Sequence, residues 1–262
     1  MNRFFITLAG SLLISSNAFG QIDFKDNFDD GNVDGWAFVD LIGFATGEPH
    51  ADVSLTDGIV RLHSPKAPSP ELAPSGAAID RLDLQFTDFE ISIDVVENNS
   101  SLEGFFGIAG RVPAPFSGYG FTYGAIPDDV APAGNVVSIV RGDPGQPATT
   151  LSELFLDDLP RDNIRMVFRA KGNTFTGDIY SLDDLNTSLA RLDAQDDTYA
   201  HGGAGVFVFG GSPPPPNPPN FESFGDVRFD NYSLVATPVP EPSSIVLLAV
   251  GMVCLSNRIR KR

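Results

Sequence analysis

Between Phe24 and Val235 no stretch sustains the 3.6-residue apolar period of an amphipathic helix, because Gly, Pro, Asn and Asp interrupt the chain every few positions. A chain punctuated in this way buries apolar surface through short strands joined by tight turns. Alternation is clearest in Phe89-Glu90-Ile91-Ser92-Ile93-Asp94-Val95, where apolar residues take every second position, as a half-buried strand requires. Further strands are expected at Ile59 to His63, Gly104 to Val112, Tyr119 to Ile126, Val136 to Arg141, Ile164 to Ala170, Thr174 to Ser181, Ser188 to Leu192, Gly205 to Phe209 and Val227 to Val235. Lys171-Gly172-Asn173-Thr174 reads as a hairpin turn, with Gly and Asn supplying the positive φ. Ser152 to Leu156 fits a helical turn or a strand equally well. Ser64 to Gly76, with four prolines in thirteen residues, and the polyproline stretch Ser212 to Asn220 read as loops. About a dozen strands with frequent turns predict an all-β chain folded as a two-sheet antiparallel sandwich over residues 21–236.

The two ends of the chain follow a different logic. Met1-Asn2-Arg3 is a positive n-region, Phe4 to Ile14 an apolar h-region and Ser15 to Gly20 a small-residue cleavage region, the order of a secretory signal over residues 1–20. Cleavage after Gly20 and cleavage after Ala18 both satisfy it. At the other end, residues 237–262 set three devices in sequence. Val239-Pro240-Glu241-Pro242-Ser243 comes first, an apolar run from Ile245 to Leu255 follows, and Arg258, Arg260, Lys261 and Arg262 close the chain. Prolines hold the first segment extended, the apolar run favours hydrocarbon, and the basic cluster resists crossing a bilayer.

This ending resembles the PEP-CTERM signal of bacterial surface proteins. The resemblance implies an exosortase-type membrane protease that recognises the Pro-Glu-Pro segment, removes the helix and passes the protein to the cell surface or extracellular matrix. The partners it implies are that protease and the export machinery. The run departs from a full membrane span, which needs about 20 apolar residues, whereas the stretch from Ile245 to Leu255 holds 11. Such a segment suits a transient anchor better than a permanent one.

Charge narrows the classes of partner. Residues 21–240 carry 12 bases against 33 acids, an excess of 21 negative charges. A surface this acidic repels phosphate backbones and anionic headgroups, so no nucleic acid is expected as partner, and divalent cations or neutral extracellular polysaccharide fit better. The same charge also serves simply to keep an exported protein dispersed. The lone cysteine, Cys254, lies in the apolar tail, so no intramolecular disulfide can form.

A second resemblance runs through the central region. Asp26-Asn27-Phe28-Asp29-Asp30-Gly31-Asn32-Val33-Asp34-Gly35-Trp36 is similar to the first-strand segment of laminin-G-like, concanavalin-A-like jelly-roll domains. Residues 165–174, 197–206 and 228–233 continue the similarity in order. It implies that the first and last strands are neighbours, bringing Asp29 close to Asp230.

Within that region Asp30, Asn32 and Asp34 match the front half of a calcium loop, with alternating oxygens on a Gly-assisted turn. The twelfth loop position is Leu41 rather than a bidentate Glu, which excludes an EF-hand. A structural calcium site completed by Asp29 or Asp230 stays open beside the plainer reading of side chains bonding their own backbone. Glu90, Asp94 and Glu97 invite comparison with the paired carboxylates of glycoside hydrolases. Their spacings of four and three depart from the Glu-x-Asp-x-x-Glu of laminarinase-like enzymes, and periodicity puts Glu97 on the opposite face unless a bulge intervenes. A hydrolase using Glu90 and Asp94 is therefore the alternative to a non-catalytic reading. His50, His63 and His201 lack a neighbouring acid or nucleophile at a telling spacing. Tyr119 and Tyr123, in an aromatic-rich stretch with interleaved glycines, are candidates for stacking on sugar faces.

Overall fold

The computed structural model describes residues 20–69, 74–101, 104–126, 134–210 and 223–239. The chain forms β1 (Ile22–Asp26), β2 (Ala37–Asp40), α1 (Leu41–Thr46), β3 (Asp52–Thr56), β4 (Ile59–Ser64), β5 (Gly76–Asn98), β6 (Phe105–Val112) and β7 (Gly118–Ile126). It continues with β8 (Gly134–Gly142), β9 (Thr149–Leu156), β10 (Ile164–Lys171), β11 (Thr174–Ser181), β12 (Asp184–Gln195), β13 (Gly202–Phe209) and β14 (Gly225–Pro238). All pairings are antiparallel. The all-β reading holds, and Ser152 to Leu156 belongs to a strand. Among the described residues a single short helix, α1, is set by Asp40, whose carboxylate accepts from the Gly43 amide, and is stopped by Gly47 at φ 80°.

The two layers are joined by one strand. The first half of β5 pairs with β2 and β13, and its second half pairs with β10 and β14. Layer I therefore runs β12-β11-β10-β5-β14, with β4 and β1 sharing the far edge of β14 and β3 outside β4; layer II runs β2-β5-β13-β6-β7-β8-β9. Across the interior Phe121 of β7 stacks on Phe168 of β10 at 6.0 Å, Tyr119 meets Phe175 at 4.1 Å and Phe106 meets Phe229 at 6.5 Å. These rings, with Ile91, Ile93, Ile108, Ile139 and Val206, form one continuous core.

β1 lies beside β14, Ile22 opposite Ala236 and Asp26 opposite Tyr232, so the first and last strands are neighbours. Trp36 closes that corner: its indole N–H donates to Asp26 at 2.8 Å and its ring meets Tyr232 edge-on at 4.8 Å. The β10–β11 turn is the expected two-residue hairpin, with Lys171 opposite Thr174 and Gly172 at φ 58°.

Candidate functional site

Glu90 and Asp94 share the outer face of layer I, but the register sets an arginine opposite each. Arg165 holds Asp94 through two bonds of 2.6 and 2.8 Å, and Asn231 adds a third at 3.0 Å. Arg169 binds Glu90 at 2.6 Å and the buried Asp178 at 2.6 Å. Four residues along a strand separate the two carboxyls by about 13 Å, whereas hydrolase pairs stand about 5–9.5 Å apart. The pair is thus too far apart and already neutralised, and a shared glycosidic bond does not fit between them. A bulge in the β5–β14 register turns Glu97 to the same outer face, where it pairs with Arg228.

The acidic turn spends its oxygens locally. Asp30 accepts from the Asn32 amide at 3.1 Å and Asn32 from the Asp34 amide at 2.8 Å, two successive Asx turns. The Asn27 side-chain amide donates to Asp29, and Asp230 accepts from the Asn231 amide at 2.6 Å. Burial raises the Asp230 carboxyl; the Asn231 amide opposes this, while the nearby charges of Asp94 and Asp29 add to it. Asp29 follows β1 and Asp230 lies in β14, its neighbour in the sheet. Among the described residues, however, no group of three or more carboxylates or imidazoles is arranged to hold a metal ion. As they stand these residues do not fit a calcium shell of six to eight oxygens.

Tyr119 and Tyr123 are 1% and 0% exposed, which corrects their reading as sugar-stacking residues. In the alternation of β7 the glycines take the outer face and the aromatic rings the core. The Tyr119 hydroxyl donates to Asp196 at 2.6 Å and accepts from the Tyr199 amide at 3.0 Å; burial, together with the Asp196 bond, pushes it up to about 12. The Tyr123 hydroxyl donates to the Leu159 carbonyl at 2.7 Å, and burial raises it further.

One carboxylate that the sequence did not mark stands on the outer face of layer II. Asp80 in β5 is 4% exposed, and burial alone pushes it up to about 7. Its neighbours across the sheet are Gly205, Ala109, Gly120 and Val140 in turn. A Cβ at Gly205 would stand 2.0 Å from Asp80 Oδ1, so the carboxylate lies over the glycine. Nothing local in Ile79-Asp80-Arg81 signals this burial, which comes from strands far away in sequence.

The tail residues from Pro240 onward, including Glu241, Pro242, Ser243 and the basic cluster, lie outside the described residues, as do the signal segment and the polyproline stretch. Residues 238–261 match the PEP-CTERM protein-sorting motif. The chain thus carries the tail of an exported, surface-sorted protein. No curated protein sequence matches it. Among solved structures it is similar to the VIP36 exoplasmic/lumenal domain in its Ca2+/Man3GlcNAc-bound form, at 16% identity and a TM-score of 0.53, covering 83% of this chain and 90% of that one. The metal-free form of the same domain gives 14% identity and a TM-score of 0.52, covering 85% and 94%. The acidic lectin of winged bean complexed with methyl-α-D-galactose gives 7% identity and a TM-score of 0.52, covering 84% and 100%. These likenesses show the fold, a concanavalin-like jelly roll.

Proposed function

We propose that this chain is an exported cell-surface or extracellular-matrix protein whose sandwich binds glycan without catalysis and whose Pro-Glu-Pro tail is cut by an exosortase-type protease. The observation that carries the reading is a sorting motif that begins at the very end of β14, the last strand of a lectin-type sandwich. In this reading Val239, Pro240, Glu241, Pro242 and Ser243 form the recognition segment. The apolar run 245–255 is a temporary anchor, and Arg258, Arg260, Lys261 and Arg262 hold its far end inside.

Mass spectrometry of the protein recovered from its cells tests the sorting half. A mature C-terminus near Pro242, with an N-terminus after Ala18 or Gly20, supports the reading; an intact Arg262 in the surface fraction overturns it. Screening the full chain against a glycan array tests the binding half, and failure to capture any glycan at high protein concentration overturns that half. Calcium at Asp29, Asp30, Asn32, Asp34 and Asp230 is supported only by the calcium-bound forms of a similar lectin domain, and it would have to displace the Asx-turn bonds. The array is therefore run with and without chelator, and the geometry predicts capture that survives chelation.

A further inference from the structure

Asn-x-Ser/Thr is the acceptor pattern for an N-linked glycan, and in an exported chain it marks an attachment point at the surface. The sequence holds four copies: Asn98-Asn99-Ser100, Asn99-Ser100-Ser101, Asn186-Thr187-Ser188 and Asn231-Tyr232-Ser233. Transfer requires the side-chain amide to leave the protein surface and enter an enzyme cleft together with the hydroxyl two residues on. What the fold does to each amide therefore decides which copy can serve.

Three of the four are tied to other strands. The Asn98 side-chain nitrogen is buried, and its Ser100 hydroxyl both donates to the Asp226 carbonyl and accepts from the Asp226 amide of β14. Asn99 donates its backbone amide to the Asp226 carbonyl, while its Ser101 hydroxyl is held by the Phe224 backbone. Asn231 sits within β14 and donates its side-chain amide to Asp94 of β5 at 3.0 Å.

Asn186 is placed differently. Tyr180 of β11 lies opposite Ser188, and the next residue, Ser181, lies opposite Asp184. One step along β11 thus answers four along β12, and Leu185, Asn186 and Thr187 are extruded from the ladder as a bulge. All three are exposed, and among the described residues β12 has no partner on its outer side, so the bulge stands at the rim of layer I. The bonds that shape it are internal. The Asp184 carboxylate accepts from the Asn186 backbone amide at 3.0 Å and lies beside the Asn186 and Thr187 side chains. Ser188 at its foot is exposed as well; its hydroxyl donates to the Ala190 carbonyl of the same strand at 2.7 Å, with longer bonds of 3.4 Å to Asp178 and the Ile179 carbonyl. The bulge can therefore bend outward without pulling another strand from the sheet.

A second observation points to the same spot. Leu185 is 43% and Leu189 41% exposed, one on either side of Asn186 along an edge strand. Apolar side chains on an open edge invite pairing with another chain. A bulky hydrophilic group on Asn186 covers both leucines and blocks that edge.

We propose that Asn186 is the acceptor of an N-linked oligosaccharide, transferred after export from a donor in which the sugar chain is carried on a lipid pyrophosphate. In the transfer Asn186 Nδ2 forms a bond to the anomeric carbon of the first sugar, and the bond from that carbon to the phosphate oxygen breaks. The amide gives up one proton, and the lipid pyrophosphate leaves with the electron pair. The assignment rests on the export half of the proposed function and not on glycan capture.

The test is mass spectrometry of the full chain recovered from the surface of its own cells and cut with trypsin. Residues 172–191, released between Lys171 and Arg191, carry this one copy of the pattern. That peptide is expected to be heavier by a whole number of sugar residues, with the added mass on Asn186. Asn186→Gln and Ser188→Ala should each lose the added mass, whereas Thr187→Val, at the middle position, should keep it. Thermal melts of the variants separate a lost acceptor from a lost fold, and they are expected to match the parent because the three side chains are exposed.

A chain with its signal removed and Asn186 unmodified overturns the assignment while the export reading stands. Sugar on Asn99 or Asn231 in place of Asn186 overturns it too, as does full modification of the Ser188→Ala chain. A chain that keeps Met1 and carries no sugar overturns the export reading, and this site with it.

Discussion

Arg165 and Asp94 stand directly opposite one another on β10 and β5 and close a two-pronged bridge of 2.6 and 2.8 Å. The Asp94 side chain is only 5% exposed and that of Arg165 30%. Shielding from water makes removal of one partner much more costly than the bridge itself is stabilising. Arg165→Met is expected to lower unfolding stability by about 3 kcal/mol, measured by urea denaturation. Adding Asp94→Asn in the same chain should recover most of that loss; no recovery would mean that the stem of Arg165, not its charge, carries the effect.

Tyr119 performs a comparable task at the other end of the sandwich. Its hydroxyl joins Asp196 to the Tyr199 amide, and Asp196 also receives Arg141 at 2.7 Å. Tyr119→Phe keeps the ring in the core but leaves that amide unpartnered, at an expected cost of about 1–3 kcal/mol. Glycan capture should be unchanged, because the ring faces the interior. A Tyr119→Phe chain that is stable but no longer captures glycan would place ligand contact at Tyr119 after all.

Much of this architecture is readable from the chain, and the limits have physical causes. Phe89 to Val95 alternates cleanly because that half of β5 has one wet and one dry face, and Gly172-Asn173 marks its turn because only a few residue types accept a tight two-residue hairpin. The first half of β5 is hidden. In Gly76-Ala77-Ala78-Ile79-Asp80 both faces are buried, so period-two alternation disappears. Tyr119 and Tyr123 misled for a related reason: aromatic–glycine alternation specifies two different faces without stating which one meets water. Glu97 reached its observed face through a bulge, which no spacing rule reveals. Asp80 was invisible because its burial is conferred by β13 and β2, more than a hundred and about forty residues away respectively.

Stability should depend on pH through two carboxylates of opposite sign. Burial raises Asp80 to about 7, so the folded state holds its proton more tightly than the unfolded chain. Its penalty is fully present above pH 7 and relieved as pH falls toward 4. Asp196 behaves in reverse: burial opposes ionisation, but bonds from Tyr119, Thr198 and Arg141 outweigh it and bring the carboxyl down to about 2. Its stabilisation is present above pH 4 and lost between pH 4 and 2. Thermal melts should therefore rise from pH 8 to about 5 and fall below about 4. Asp80→Asn should flatten the upper limb alone, with a gain at pH 8 of up to about 4 kcal/mol.

The two layers approach closely at Gly177. A Cβ there would lie 2.3 Å from the Phe121 ring of the opposite layer, and the backbone is not in the left-handed region, so any cost is one of packing. Gly177→Ala should destabilise by about 1–3 kcal/mol. Differential scanning calorimetry would register it as a lower melting temperature with an unchanged single transition; two separated transitions would show that the layers unfold independently.

The side-by-side placement of β1 and β14 has a consequence for how the protein is moored. Gln21 and Val239 leave the sandwich from the same end, since Ile22 lies opposite Ala236. Only five residues separate Val239 from the apolar run at Ile245, a reach of at most about 20 Å. On the proposed reading of that run as a temporary anchor, the domain would hang close beneath its own anchor point, end-on to the membrane. The broad outer faces of both layers would then stand upright along the membrane normal, turned sideways toward whatever surrounds the cell.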